Sequence, residues 1–314
     1  MSRRTTRLLS VLLVLPALIL GGCGDESADE GAGGEGLSAV TVSGDFGAEP
    51  TVTWDGDFDP GKLETETLIT GDGAEVEEGQ QVFTRLWLGN GFTESKAYST
   101  FGEDAKPELL TVGGDMTSAI SAGLKGQTIG SRVVVASPPK DAFGEQGNPQ
   151  LGIGNADPVL FVMDLVSVLP DGPSGSDEKP AGWAPAVEGD EKPTSLDFKG
   201  TPEPSDKLRV TTLIEGDGDP TEKGQTIYVN YLGQVYHGEK PFDSSYERGE
   251  PLDFELGAGG VVKGWDQGLT GIPVGSRVIL AVPPDLGYGE KGNKDAGIKG
   301  TDTLYFVVDV LAAI

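Results

Sequence analysis

Few residues in this chain have the type and spacing to do chemistry. Cys23 closes "LGGC", Leu20 to Cys23, at the end of an apolar run that follows a basic start at Arg3, Arg4 and Arg7. A charged opening, a short apolar stretch and small residues make a secretory signal, and the run is short for a membrane span. Small residues just before a cysteine match the bacterial lipobox, where the thiol takes a diacylglycerol and becomes the first residue of the mature chain. It is the only cysteine, so no disulfide forms within the chain, and a lipid anchor accounts for an exported thiol. At about 0.8 kcal/mol per buried CH₂, more than one acyl chain would hold the protein firmly. The run "DGDFDPGKLETE", Asp55 to Glu66, has acids at positions 1, 3, 5 and 12 of a calcium loop, but Pro60 stands where that loop needs glycine. No metal site is read from it. His237, the only histidine, lies in "VYHGEKP" and reads as a solvated turn residue rather than a catalyst. The remaining candidate is aromatic. In "VVKGWDQGL", Val261 to Leu269, the residues Val262, Trp265 and Leu269 share one face of a short helix, and Gly271 follows as its stop.

That helix occurs twice. The chain reads "MTSAISAGL" 145 residues earlier, with Ile120 in the place of Trp265. The same offset relates "LRVTTLIEGDG" from Leu208 to "LETETLITGDG" from Leu63. It also relates "GSRVILAVPPDLGYGEKGN" from Gly275 to "GSRVVVASPPKDAFGEQGN" from Gly130, and "LYFVVDVL" from Leu304 to "VLFVMDLV" from Val159. The chain is therefore a tandem duplication. Between the copies "PDGPSGSDEKPAG" has the proline, glycine and charge of a linker. The expected organisation is a signal peptide over 1–22, a lipidated cysteine and flexible acidic tether over 23–37, a first domain over 38–169, a linker over 170–183 and a second domain over 184–314. Within each copy the periodicity is mostly that of strands. "LDFEL" puts Leu252, Phe254 and Leu256 on one face, and "TIYVNYL" does the same with Ile227, Val229 and Tyr231. Five or so antiparallel strands and one short helix make an α+β domain whose sheet wraps around that helix.

Charge narrows the partners. The chain carries 23 basic and 50 acidic residues, net −27, and loss of the three leader arginines takes this to −30. That excludes nucleic acid and any basic patch for anionic lipid, and leaves the lipid anchor as the expected contact with a membrane. With 37% hydrophobic residues, both copies can build a core.

In the second copy "VNYLG", "FDSS", "VVKGW", "PVGSR" and "PPDLGYGEKG" occur in order, followed by "TLYFVVDVL". The copy resembles the FKBP-type peptidyl-prolyl cis/trans isomerase domain over essentially all of 184–314, and the first copy resembles it more weakly at the pocket. The resemblance implies a proline pocket with Trp265 as its floor. Its walls would be Tyr231, Phe242, Leu252, Val261, Val262, Tyr288 and Phe306. Asp243 would be a polar wall residue, and Ile298 would lie in a flap above. Leu252 stands where the family usually has an aromatic ring, and the flap lacks the usual proline pair and carries lysines. The implied partners are proline-containing unfolded or partly folded proteins, and macrolide inhibitors; no cofactor is implied.

Physical chemistry supports the same reading. Rotating an X–Pro bond costs about 18–20 kcal/mol because the amide loses its resonance. A dry apolar cleft that disfavours the planar amide and offers a donor to the twisted one lowers that barrier by differential binding. Trp265 supplies a flat face, Tyr288 a hydroxyl, and the Val262 N–H a second donor. In the first copy Trp265 becomes Ile120, Val261 Met116, Val262 Thr117 and Tyr288 Phe143. Phe242 and Asp243 become Ala97 and Tyr98. Tyr231 becomes Leu86, unless a one-residue slip brings Trp87 into its place. The expected function is an exported, lipid-anchored prolyl isomerase on the extracytoplasmic face of the cell membrane, active mainly in its C-terminal copy. The alternatives are a non-catalytic proline-peptide binding module or chaperone and, more weakly, a structural protein at the cell surface.

Overall fold

The structure is a computed structural model whose described residues are 35–102, 105–114 and 116–314. The leader and Cys23 lie outside them. The tether read over 23–37 ends sooner than expected: Glu35 bridges Phe58, and the Leu37 N–H donates to Glu64 Oε2 at 2.8 Å.

Strand pairing is antiparallel in two large sheets, one in each repeat. The first has the order Glu64–Ile69, Arg132–Ser137, Val159–Val168, Gln81–Asn90, Ser95–Ser99, with Glu108–Thr111 also on Gln81–Asn90. The second has the order Asp243–Ser244, Thr226–Val235, Leu304–Ala313, Arg277–Val282, Arg209–Gly216, Gly175–Asp177, with Leu252–Glu255 also on Thr226–Val235. Register follows the repeat. Thr84 faces Leu165 as Val229 faces Val310, and the central strands are bulged at the equivalent point, Phe83/Thr84 and Tyr228/Val229. Strand number exceeds the expected five because the additional strands are only two to four residues long, too short to show a period.

Among the described residues three short α-helices accompany the sheets: α1 (Ser118–Leu124), α2 (Ser245–Arg248) and α3 (Lys263–Gly268). α1 and α3 are the repeated element. α3 lies close on the strand Arg277–Val282 because Gly264 and Gly268 face it; a Cβ on Gly264 would meet Val282 Cγ1 at 2.5 Å. In the first repeat Ala119 stands for Gly264 and the smaller Ser137 for Val282, so the approach is kept. α2 departs from the expectation of one helix per copy. Its sequence signal is a capping box, Ser244 followed three residues on by Glu247, and the Ser244 Oγ accepts from the Glu247 N–H at 3.4 Å.

A sheet wrapped around one helix proves to be half of the architecture. Ile227, Val229, Leu280 and Val308 pack under α3 with Trp265 and Leu269. The opposite face, with Leu232, Ile279, Tyr305 and Val307, is buried under Leu196 and Phe198 of a hairpin, Ala186–Glu188 with Ser195–Asp197. The first repeat has the same cover: Trp87, Val134, Leu160 and Val162 lie beneath the hairpin Val40–Ser43 with Thr51–Trp54. Burial on both faces explains why "RVILAV" reads as a continuous apolar run. Trp87 belongs to this second face, so the one-residue slip considered above does not occur. A slip would turn every side chain of the strand over.

The segment 170–183 is also more than a linker. Gly175–Asp177 pairs with Arg209–Gly216 at the sheet edge, and Trp183 packs against Tyr305 with ring centroids 6.4 Å apart. Its proline and glycine content hides a three-residue strand, and glycine is required at its start: Gly175 has φ +154°, and a Cβ there would meet Glu215 O at 1.9 Å.

Each repeat buries one ion pair. Arg277 Nε donates to Asp309 Oδ1 at 2.6 Å and Nη2 to Oδ2 at 2.9 Å, while the guanidinium also donates to the carbonyls of Asp190 and Glu191 in the covering hairpin's turn. Arg132 and Asp164 repeat this, with Gly44 O and Ala48 O as the additional acceptors. Removing one partner strands a buried charge. Asp309→Asn should therefore lower stability by about 3–5 kcal/mol, against less than about 1 kcal/mol for Glu49→Gln at the exposed Lys96 pair. Urea unfolding measures both, and equal losses would show that burial of the pair is not what matters.

Candidate active site

α3 presents its apolar face between the central strands and two loops. Its N-cap is Val262, which makes no side-chain cap (φ −61°, ψ 141°). Asp266 instead ties down the loop before the helix, accepting from the Gly257 N–H at 2.8 Å and the Gly259 N–H at 3.1 Å. Val261 and Val262 are thereby held at the lip of a groove of about 560 Å³. Tyr231, Phe242, Asp243, Leu252, Val261, Val262, Trp265, Tyr288 and Phe306 all line it. Ile298 does not. It is 4% exposed beneath the flap, where Asn293 and Ile298 exchange backbone hydrogen bonds at 2.8 Å and turn the side chain into the core. Phe254 and Ile227 are core residues, and His237 is exposed in a turn at φ +56°. Cys23 lies outside the described residues.

The floor is a cluster of rings at right angles. Trp265, 3% exposed, meets Tyr231 edge-on at 5.0 Å and Phe306 at 5.2 Å, and Phe242 meets Phe306 edge-on at 5.8 Å. Such edge-to-face pairs add about 0.5–1.5 kcal/mol each beyond burial and fix the rings in place. Trp265 Nε1 is the one buried side-chain polar atom without a partner among the described residues.

One side of the groove is polar and tightly bonded. The Tyr231 hydroxyl donates to Asp243 Oδ2 at 2.5 Å. Arg248 is ion-paired with Asp243, reaches the Tyr231 hydroxyl at 3.1 Å and lies over the Tyr231 ring. Burial, and then the hydrogen bond to Asp243, pushes the Tyr231 phenol up to about 12, so it remains a donor at neutral pH. Arg248 is the residue the sequence reading missed. The capping box that marks α2 was the available signal, since it places an arginine one turn after Asp243. At the mouth, Tyr288 is 39% exposed, and its hydroxyl bonds to no other described residue. Among the described residues no cluster of His, Cys, Asp or Glu is arranged to hold a metal.

The equivalent surface of the first repeat is built from other side chains, and Ile120, in the place of Trp265, is only partly buried. Leu88 replaces Gly233 in register, each facing the same strand positions, Phe161 and Phe306. A Cβ on Gly233 would sit 2.6 Å from Phe242 Cζ and 2.9 Å from Phe306 Cε1, so the glycine is what admits the Phe242 ring. Leu88 instead packs into the core at 4% exposure. Tyr98, in the place of Asp243, donates to Glu108 at 2.5 Å. Thr117, in the place of Val262, caps α1 by accepting from the Ile120 N–H at 3.3 Å. Backbone geometry survives: Phe143 (φ −109°, ψ 2°) matches Tyr288 (φ −92°, ψ 5°) but lacks its hydroxyl.

Residues 218–311 match the family described as FKBP-type peptidyl-prolyl cis-trans isomerase. An FK506-binding protein of Streptomyces anulatus is 44% identical over 122 residues, covering 39% of this chain and 97% of that protein. FK506-binding protein 2 of Dictyostelium discoideum is 42% identical over 110 residues, covering 34% of this chain and 81% of that protein. The crystal structure of AtFKBP13 is 38% identical and covers 34% of this chain and 93% of that one, with a TM-score of 0.32.

Gly233→Ala should weaken capture of a proline-containing peptide about tenfold, or ~1.4 kcal/mol, as the new methyl displaces Phe242. Titration of the folded variant checks this, and unchanged affinity would show that the ring does not need that space.

Proposed function

The chain belongs to the FKBP-type peptidyl-prolyl cis-trans isomerase family, and on that premise we propose that the Trp265 groove turns over X–Pro bonds while the first repeat does so weakly or not at all. The observation that carries this reading is the ring-lined groove of the second repeat with a tyrosine hydroxyl at its mouth, where the first repeat has Ile120 for the indole and Phe143 for the tyrosine. A proline ring lies on the Trp265 indole. The surrounding apolar walls exclude water, which raises the energy of the polar planar amide relative to the twisted one. The Tyr288 hydroxyl and the Val262 N–H donate to substrate carbonyls as the bond rotates. Asp243, already bonded to Tyr231 and Arg248, offers a fixed polar wall. Each tenfold acceleration takes about 1.36 kcal/mol off the barrier, so a few well-placed contacts suffice for several orders of magnitude.

The finer reading is of an exported protein, held through lipidated Cys23 on the extracytoplasmic face of the membrane, that assists the folding of proline-containing clients. Its support is the leader and "LGGC", and the cysteine's being alone in the chain. Among the described residues no helix is long and apolar enough to cross a membrane. The same groove would take a macrolide such as FK506, on the strength of the names its relatives carry. A proline-binding module without turnover is the alternative, and Leu252, in a wall position where the family usually has an aromatic ring, is what favours it.

In the full chain Trp265→Ala should lower kcat/KM on a proline peptide by more than about tenfold with the fold intact by circular dichroism. Turnover that persists unchanged would move the activity to the first repeat. Wild-type protein that binds the peptide without turning it over would establish the binding module instead. Cys23→Ser should release the protein from the membrane fraction, and a variant that stays there would remove the anchor from this reading.

A further inference from the structure

In the second repeat a chain of contacts runs from the buried ion pair at the back of the sheet to the wall of the groove. Tyr246, in the middle of α2, donates its hydroxyl to Asp309 Oδ2 at 2.6 Å, the carboxylate that also carries Arg277. Burial first, and then the Asp309 charge, pushes this phenol far above its ordinary range, so it is a donor at any physiological pH. Ser245 Oγ accepts from the Tyr231 N–H at 2.8 Å and donates to Asn230 Oδ1 at 2.9 Å. At the other end of the same turn, Arg248 holds Asp243 and the Tyr231 hydroxyl. A helix of one turn has no stability of its own. Its direction is set by what it is tied to: Ser245 ties it to the strand backbone, and the Tyr246 hydroxyl ties it to the buried ion pair.

The first repeat supplies the comparison. Phe101 occupies the position of Tyr246 and has no hydroxyl to give; the Arg132 guanidinium lies over its ring at 5.6 Å. The second oxygen of Asp164 is taken instead by the Gly47 N–H at 2.6 Å. Thus the ion pair is satisfied without a tyrosine in the repeat that lacks Trp265, and through one in the repeat that carries it.

We infer that Tyr246 is a positioning residue for isomerisation: its hydroxyl, fixed on Asp309, sets α2 so that Arg248 holds Asp243 and the Tyr231 hydroxyl in the groove wall. This rests on reading the Trp265 groove as the site of turnover.

The test uses the full chain. Tyr246→Phe keeps the ring and deletes the hydroxyl, and it should lower kcat/KM on a proline peptide about three- to tenfold, through kcat more than KM. Arg248→Ala should produce a loss of the same kind. Because the hydroxyl acts through the guanidinium, adding Tyr246→Phe to Arg248→Ala should cost little more. Losses that multiply overturn the inference, as does a Tyr246→Phe variant that shifts only the urea midpoint and leaves kcat and KM alone. Tyr246→His returns a donor to the ring and should recover part of the turnover; a histidine variant no better than phenylalanine also overturns it. Trp265→Ala separates the two readings. Turnover that survives it overturns both, whereas turnover that depends on Trp265 and ignores Tyr246 overturns this inference alone.

Discussion

An arginine buried against an aspartate, once in each repeat, is the interaction around which each sheet is arranged. Taking two charges out of water costs several kcal/mol per ion, and the attraction between them offsets this only when every remaining donor and acceptor is also satisfied. Two strands of the sheet supply the pair itself. The rest must come from elsewhere, and for the arginine it comes in both repeats from the turn of the preceding hairpin: Asp190 and Glu191 carbonyls on Arg277, Gly44 and Ala48 carbonyls on Arg132. The hairpin is thereby pulled across the face opposite the helix and covers apolar strand residues that would otherwise meet water. One electrostatic requirement thus places a whole layer of the fold.

With the scaffold held from behind, the front is free to change. Leu88 for Gly233, Ile120 for Trp265 and Thr117 for Val262 rewrite the lining of the groove, yet register, bulges and loop backbone remain. The exchange at the helix start shows the conflict between folding and function directly. Thr117 caps its helix, an interaction worth about 1 kcal/mol, whereas Val262 gives that up to present an apolar wall with a free backbone donor beside it.

How far the sequence discloses this depends on distance along the chain. The repeat is legible because the long strands and the GSRV and double-proline segments keep one spacing, and Trp265 is singled out by its absence from the other copy. The hairpins are harder to see, because only "VSGD", Val42 to Asp45, and "VEGD", Val187 to Asp190, keep that spacing before a difference in turn length breaks it, and what they share beyond that is a backbone position on an ion pair. Arg248 is not reachable by hydrophobic pattern, since it sits on a single polar turn whose only mark is a capping box. Ile298 differs from its expected place because its facing is decided by a closed turn, which composition does not show, while strand register keeps Leu86 rather than Trp87 in the place of Tyr231.

The strand Gly175–Asp177 has a consequence of its own. An open sheet edge offers unpaired amides to any extended chain, including another copy of the same protein. In the second repeat that edge is blocked by three residues of the chain's own backbone, paired with Ile214, Glu215 and Gly216. In the first repeat the equivalent edge, Glu64–Ile69, pairs with no further strand among the described residues, and it carries Glu64 and Glu66. One edge turns extended chains away by being occupied, the other by charge.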